Sequence, residues 1–120
     1  MKTEVTKRSV EILDTTLRDG AQAEGISFSV SDKFQVLETQ PDMCTSKLTA
    51  FGSTKRKGIP AAEDPGLQEL MSANTPTVVV FGKSWDMHVK EILRCSNQDN
   101  LDMIRETCRY IVEQGRECIF

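Results

Sequence analysis

The stretch Asp14-Thr15-Thr16-Leu17-Arg18-Asp19-Gly20-Ala21-Gln22 places an arginine beside an aspartate, with a glutamine close behind. Such a pair can serve one ligand in two ways. A carboxylate such as Asp19 is a hard oxygen donor suited to a divalent cation. Arg18 is permanently charged and can hold a carboxylate or a developing oxyanion. On spacing alone, an ordinary surface ion pair is the simpler reading, because such pairs are common and weak. Position favours chemistry. Val10, Ile12 and Leu13 form a short, partly β-branched apolar run just before the motif. The run predicts a buried strand. In parallel α/β folds the C-terminal ends of strands face the ligand site.

The remaining elements alternate in the same way. Ser29 to Asp32 fits a helix start, and Phe34 and Leu37 share one face of the helix it opens. Pro41 keeps that helix short, and 41–46 reads as a connector. Leu48 to Ser53 is a second predicted strand. Asp64-Pro65 opens a helix carrying Leu67, Leu70 and Met71. Thr77-Val78-Val79-Val80-Phe81 is continuously apolar after its first residue, as a strand covered on both faces should be. A short helix is expected around Val89 to Leu93. A longer one, capped by Asn97, runs through Leu101, Ile104, Cys108, Ile111 and Val112 at steps of three and four. Cys118-Ile119-Phe120 reads as a fourth strand. Strands alternating with helices predict a parallel sheet with helical crossovers. Pattern alone does not choose between an open doubly wound sheet and part of a (β/α) barrel.

The 120 residues carry a formal net charge of -3, with one short basic run, Lys55-Arg56-Lys57, expected to be a solvated loop. No concentrated positive surface calls for nucleic acid as a partner. No segment has the length and apolarity of a membrane span. The polar opening, 1–9, predicts a flexible lead without the apolar core of a signal peptide. None of Cys44, Cys95, Cys108 and Cys118 is spaced as Cys-x-x-Cys. They are expected to be buried or free thiols of a cytoplasmic protein.

The run Ile12 to Gln22 resembles the signature of the isopropylmalate synthase family, which includes homocitrate synthase, citramalate synthase and hydroxymethylglutaryl-CoA lyase. Gly25-Ile26-Ser27-Phe28-Ser29, Ala50-Phe51-Gly52-Ser53-Thr54-Lys55-Arg56-Lys57-Gly58 and Phe81-Gly82-Lys83-Ser84-Trp85-Asp86-Met87-His88-Val89 are similar to its citramalate synthase branch. The resemblance implies an acyltransferase built on a (β/α)8 TIM barrel. It would condense acetyl-CoA with pyruvate to (R)-citramalate and CoA, in isoleucine synthesis. It implies a divalent metal (Mg, Mn or Zn), acetyl-CoA as co-substrate, and a homodimer. Arg18 matches the family's oxyanion-stabilising arginine, Asp19 its metal-binding aspartate and Gln22 a residue lining the same pocket. Phe51 and Ser53, at the second strand end, and His88, the one histidine, are candidate substrate contacts. A phosphate of CoA is a candidate partner of Lys83, with a solvated lysine as the alternative.

The sequence also departs from the family. A TIM barrel needs roughly 250 residues. The chain has about four βα units, expected over 10–120 as the N-terminal half of the barrel. About one unit expected between the first helix and Ala50-Phe51-Gly52 is missing near 38–46. An acidic residue and a His-x-His motif, which would complete the metal site, are expected beyond Phe120. The reading is therefore that this chain alone is inactive. Its alternatives are a non-catalytic half barrel that self-associates or docks on a full-length relative, an isopropylmalate synthase-like activity on another 2-keto acid, and an open α/β ligand-binding domain that keeps only Arg18 and Asp19.

Overall fold

The computed structural model describes residues 9–38 and 46–120. The chain divides into two compact units, 1–41 and 42–120. The predicted lead before Ser9 and most of the connector near Pro41 lie outside the described residues.

In the first unit, residues 9–15 are irregular. A tight turn comes next, in which the Thr15 carbonyl accepts from the N–H groups of Arg18 and Asp19 at 3.0 and 2.7 Å. One 3-10 turn, Gly20–Gln22, continues it. Helix α1 spans Val30–Glu38. Its start lies where expected, and the cap is reciprocal. Asp32 N–H donates to Ser29 Oγ at 3.1 Å, and Ser29 N–H donates to Asp32 Oδ2 at 2.7 Å. Two of the four unpaired donors at the helix start are thus satisfied locally.

The strand expected at Val10 to Leu13 does not form. Val10 and Ile12 are 83% and 91% exposed. A β-branched apolar run is only a candidate strand. It becomes one when a neighbouring strand takes up its backbone groups. All three strands among the described residues pair with one another inside the second unit.

That unit is a parallel sheet of β1 (Thr49–Ser53), β2 (Thr77–Phe81) and β3 (Glu117–Ile119), in the order β1-β2-β3. Thr49 pairs with Thr77 and Ser53 with Phe81. Thr77 pairs with Glu117 and Val79 with Ile119. Helix α2 (Pro65–Ser72) crosses from β1 to β2, and α3 (Asp86–Glu91) and α4 (Asn97–Glu113) from β2 to β3. Sequential order is compatible with consecutive units of a barrel. Three of the four expected strands are present.

Local sequence explains these boundaries. Asp64 caps α2 by accepting from Leu67 N–H at 3.1 Å, and Pro65, which needs no donor, comes directly after it. Helix α4 is capped by Ser96, one residue before the expected Asn97, with Asp99 closing a capping box. Asn97 instead donates to Asp86 Oδ1 at 2.5 Å. Gly115, at φ +75°, ends α4 in the left-handed conformation that glycine adopts without strain.

One face of the sheet carries the core. Val78 and Val80 pack with Ile111 of α4, joined by Leu70, Met71, Cys108 and Cys118. A second cluster, Val89, Cys95, Met103 and Leu93, fastens α3 to α4. Gly52 lies on the packed face, where an added Cβ would come within 2.5 Å of Leu70 Cδ1. Its strand neighbours Phe51 and Ser53 therefore point to the opposite face. Among the described residues, no helix is long and apolar enough to cross a membrane.

Candidate active site

The first unit brings Arg18, Asp19 and Gln22 together. The turn at Thr15 and the 3-10 turn after it set their side chains on one side. Arg18 Nη1 donates to Asp19 Oδ1 as a charged pair. The same nitrogen lies 3.4 Å from Gln22 Oε1, a weaker contact. The hydrogen bond from Arg18, with a second from the Thr15 hydroxyl, holds the Asp19 carboxyl below its usual range. At neutral pH this places a carboxylate and a guanidinium side by side, with both side chains partly open to solvent.

The divalent site implied by the sequence needs several ligands. Asp19 is one carboxylate and already faces Arg18. Among the described residues, no three His, Cys, Asp or Glu side chains form a group that could hold a metal ion. The described residues therefore do not by themselves fit a tightly bound metal.

In the second unit, Phe51 and Ser53 share the sheet face opposite α2. Phe51 stacks on Phe81, with ring centroids 5.5 Å apart and planes 13° apart. Ser53 is exposed at the last pair of the β1–β2 ladder. His88 lies in α3, its ring 4.6 Å from that of Trp85 in a tilted contact. These three residues belong to the unit 42–120, and Arg18, Asp19 and Gln22 to the unit 1–41.

Helix α4 holds the loops that come after β1 and β2. Thr107, fully buried, accepts from Lys55 N–H at 3.1 Å and donates to Met103 O at 2.7 Å. Glu106 Oε1 accepts from Ala61 N–H at 2.9 Å, and Oε2 lies 2.5 Å from Lys55 Nζ. Asn100 donates to Lys83 O at 2.8 Å, its own Oδ1 buried without a partner among the described residues. The expectation of a solvated basic loop holds for Arg56 and Lys57, which are exposed, and is corrected for Lys55. Lys55 has only 9% of its side chain exposed, and Lys57 donates to Arg94 O at 2.9 Å. The partners Glu106 and Arg94 stand too far along the chain for a local reading to find.

No family model matches the chain, and no solved structure matches it. Curated relatives do. The (R)-citramalate synthase of Aquifex aeolicus is 40% identical, with 92% of this chain and 26% of the relative covered. That of Synechocystis is 37% identical, with 95% and 26% covered. The 2-isopropylmalate synthase of Sulfurisphaera tokodaii is 27% identical, with 92% and 34% covered. The chain thus spans about a quarter of the length of the citramalate synthases it matches. The Aquifex match extends over 139 positions although 92% of 120 residues is about 110. About 29 positions of the relative consequently have no counterpart inside the matched stretch.

Proposed function

The chain belongs with the (R)-citramalate synthases over about nine-tenths of its own length, and from that premise we propose that it carries part of the active site of a Claisen-type acyltransferase. The reaction joins the acetyl group of acetyl-CoA to pyruvate. A base removes a proton from the acetyl methyl group, and the resulting carbanion forms a C–C bond to the keto carbon. The keto oxygen becomes an alkoxide and then takes a proton. Water cleaves the thioester, leaving citramalate and free CoA.

Within this proposal Arg18 faces the oxygen on which negative charge develops. A guanidinium held in place before the reaction stabilises that charge without reorganising. Asp19 keeps Arg18 oriented and supplies one anionic oxygen to the substrate pocket or to a divalent ion completed by other ligands. Gln22 lines the same pocket. Phe51, Ser53 and His88 are assigned to the substrate mouth, at or after strand ends. The observation that carries the reading is the unbroken Asp14 to Gln22 motif with its Arg18–Asp19 pair, inside a chain 40% identical to a citramalate synthase.

We place the chain in part of a (β/α)8 barrel whose remaining units lie outside these residues. The unmatched positions of the relative are about the size of one βα unit of such a barrel, roughly 30 residues, and we assign the gap to the connector near 38–46.

Incubating the purified 120-residue chain with acetyl-CoA, pyruvate and Mg²⁺, with citramalate detected by mass spectrometry, tests whether the site is incomplete. The proposal expects none above the enzyme-free rate. Citramalate formed in proportion to protein would overturn that part of it.

A further inference from the structure

Trp85, the one tryptophan of the chain, stands in the loop after β2 and is 56% exposed. Leaving so large a ring half in water forgoes the burial that usually settles a tryptophan. The ring is nevertheless held in place. The His88 ring lies 4.6 Å from it at a 58° tilt. Trp85 O accepts from Val89 N–H at 3.0 Å, and Val89 is buried in the cluster with Cys95 and Met103. Two residues before Trp85, Lys83 O accepts from Asn100 Nδ2 of α4 at 2.8 Å. The loop is thus tied down on both sides of the indole. An exposed ring that is already fixed loses little freedom when a flat ligand stacks on it.

We propose that Trp85 is the stacking platform for the adenine ring of a coenzyme A thioester, with Lys83 meeting its phosphates and His88 bracing the indole. The choice of coenzyme rests on the acyl-transfer reading above. Three observations about the residues support it. The loop leaves the C-terminal end of β2, the end of a parallel sheet at which ligands bind. Lys83 and Trp85 are two residues apart, so their Cα atoms are separated by at most about 7 Å. A lysine side chain spans the rest of the way to a phosphate attached to a stacked nucleoside. The adjacent carboxylate does not oppose that phosphate strongly, because Asp86 is already engaged. Its Oδ2 accepts from Lys90 Nζ at 2.7 Å, and its Oδ1 accepts from Asn97. An indole takes the π face of any base, and a purine covers more of it than a pyrimidine. An uncharged sugar would use the indole and leave Lys83 without a role.

The test is fluorescence of the full 120-residue chain, whose tryptophan signal comes from Trp85 alone. Excitation at the red edge of the indole band avoids absorption by adenine. CoA should quench the signal saturably, and adenosine should do so with weaker affinity. Pantetheine and ribose 5-phosphate, which lack the base, should leave it unchanged. Lys83→Gln should weaken CoA binding several-fold and leave adenosine unaffected. By calorimetry, Trp85→Leu should weaken CoA binding by about 5–150-fold, the usual loss when a base-stacking aromatic is removed. Trp85→Phe keeps a ring and should retain most of the affinity, which separates lost stacking from lost folding. No saturable quenching by CoA, equal quenching by ribose 5-phosphate, tighter binding of AMP than of CoA, or wild-type affinity in Trp85→Leu would each overturn the proposal. Binding is read without turnover. Failure of acyl transfer at Arg18 therefore leaves a CoA-quenched Trp85 standing, and absence of quenching leaves the role of Arg18 untouched.

Discussion

Lys55 Nζ sits 2.5 Å from Glu106 Oε2 and joins the loop after β1 to the middle of α4. The same ammonium donates to Ile59 O at 3.0 Å, and the other oxygen of Glu106 accepts from Ala61 N–H at 2.9 Å. One carboxylate thus fixes both ends of the turn that leads from β1 toward α2. The two hydrogen bonds, from Lys55 and then from Ala61, hold the Glu106 carboxyl below its usual range.

Glu106→Ala should destabilise the chain by about 1–3 kcal/mol, because it leaves the nearly buried Lys55 ammonium without a counter-charge and with Ile59 O as its remaining acceptor, while Glu106 itself is half open to solvent. Glu106→Gln, which keeps an acceptor for Ala61 N–H, should lose less. Urea unfolding of the three proteins measures the order. Equal stability of wild type and Glu106→Ala would remove the pair from the account of the loop.

Gly52→Ala should cost about 1–2 kcal/mol, since its Cβ would lie 2.5 Å from Leu70 Cδ1 on the packed face. In Leu70→Ala the obstruction is gone. The same glycine substitution should then cost little, which a double-mutant cycle by urea unfolding reads directly.

Stability should fall on acidification, with Asp64 a main contributor. Burial alone would raise the Asp64 carboxyl. The N–H groups of Arg56, Leu67 and Gly66 that it accepts, together with the Arg56 charge, outweigh burial and hold it below its usual range. A carboxyl depressed in the folded state contributes stability above its unfolded pKa, about 3.9. That contribution is lost as the pH drops through the lower folded value. Urea midpoints should therefore be flat near neutrality and decline below about pH 4. In Asp64→Asn the decline should be shallower, from a lower starting midpoint.

Much of the second unit is legible in the sequence because its signals are local. Thr77 to Phe81 forms β2 with the expected bounds, since a continuously apolar stretch belongs in the middle of a covered sheet. Asp64-Pro65 opens α2 because cap and proline act within one turn. What the sequence hides is long-range. Val10 to Leu13 has a strand's composition, but no strand pairs with it among the described residues. Lys55 has a solvated lysine's surroundings in the sequence, and its burial depends on Glu106 in another element. Within the candidate site the proximity of Arg18, Asp19 and Gln22 is legible, being made by one turn. The hold of α4 on the loops after β1 and β2, through Thr107, Glu106 and Asn100, leaves no sequence signal.

The central claim is that Arg18 belongs to an acyl-transfer site. Its most direct test replaces the matching segment of the Aquifex aeolicus (R)-citramalate synthase with residues 9–38 of this chain. CoA release is then measured with acetyl-CoA and varied pyruvate, and 2-oxoisovalerate serves as the competing keto acid. The account predicts that the graft turns over pyruvate in preference to 2-oxoisovalerate. Arg18→Ala in the graft should lower kcat by about 10²–10³, the usual loss for a group that stabilises a developing oxyanion, with a much smaller change in KM for pyruvate. An Arg18→Ala graft working within a few-fold of its parent would contradict it.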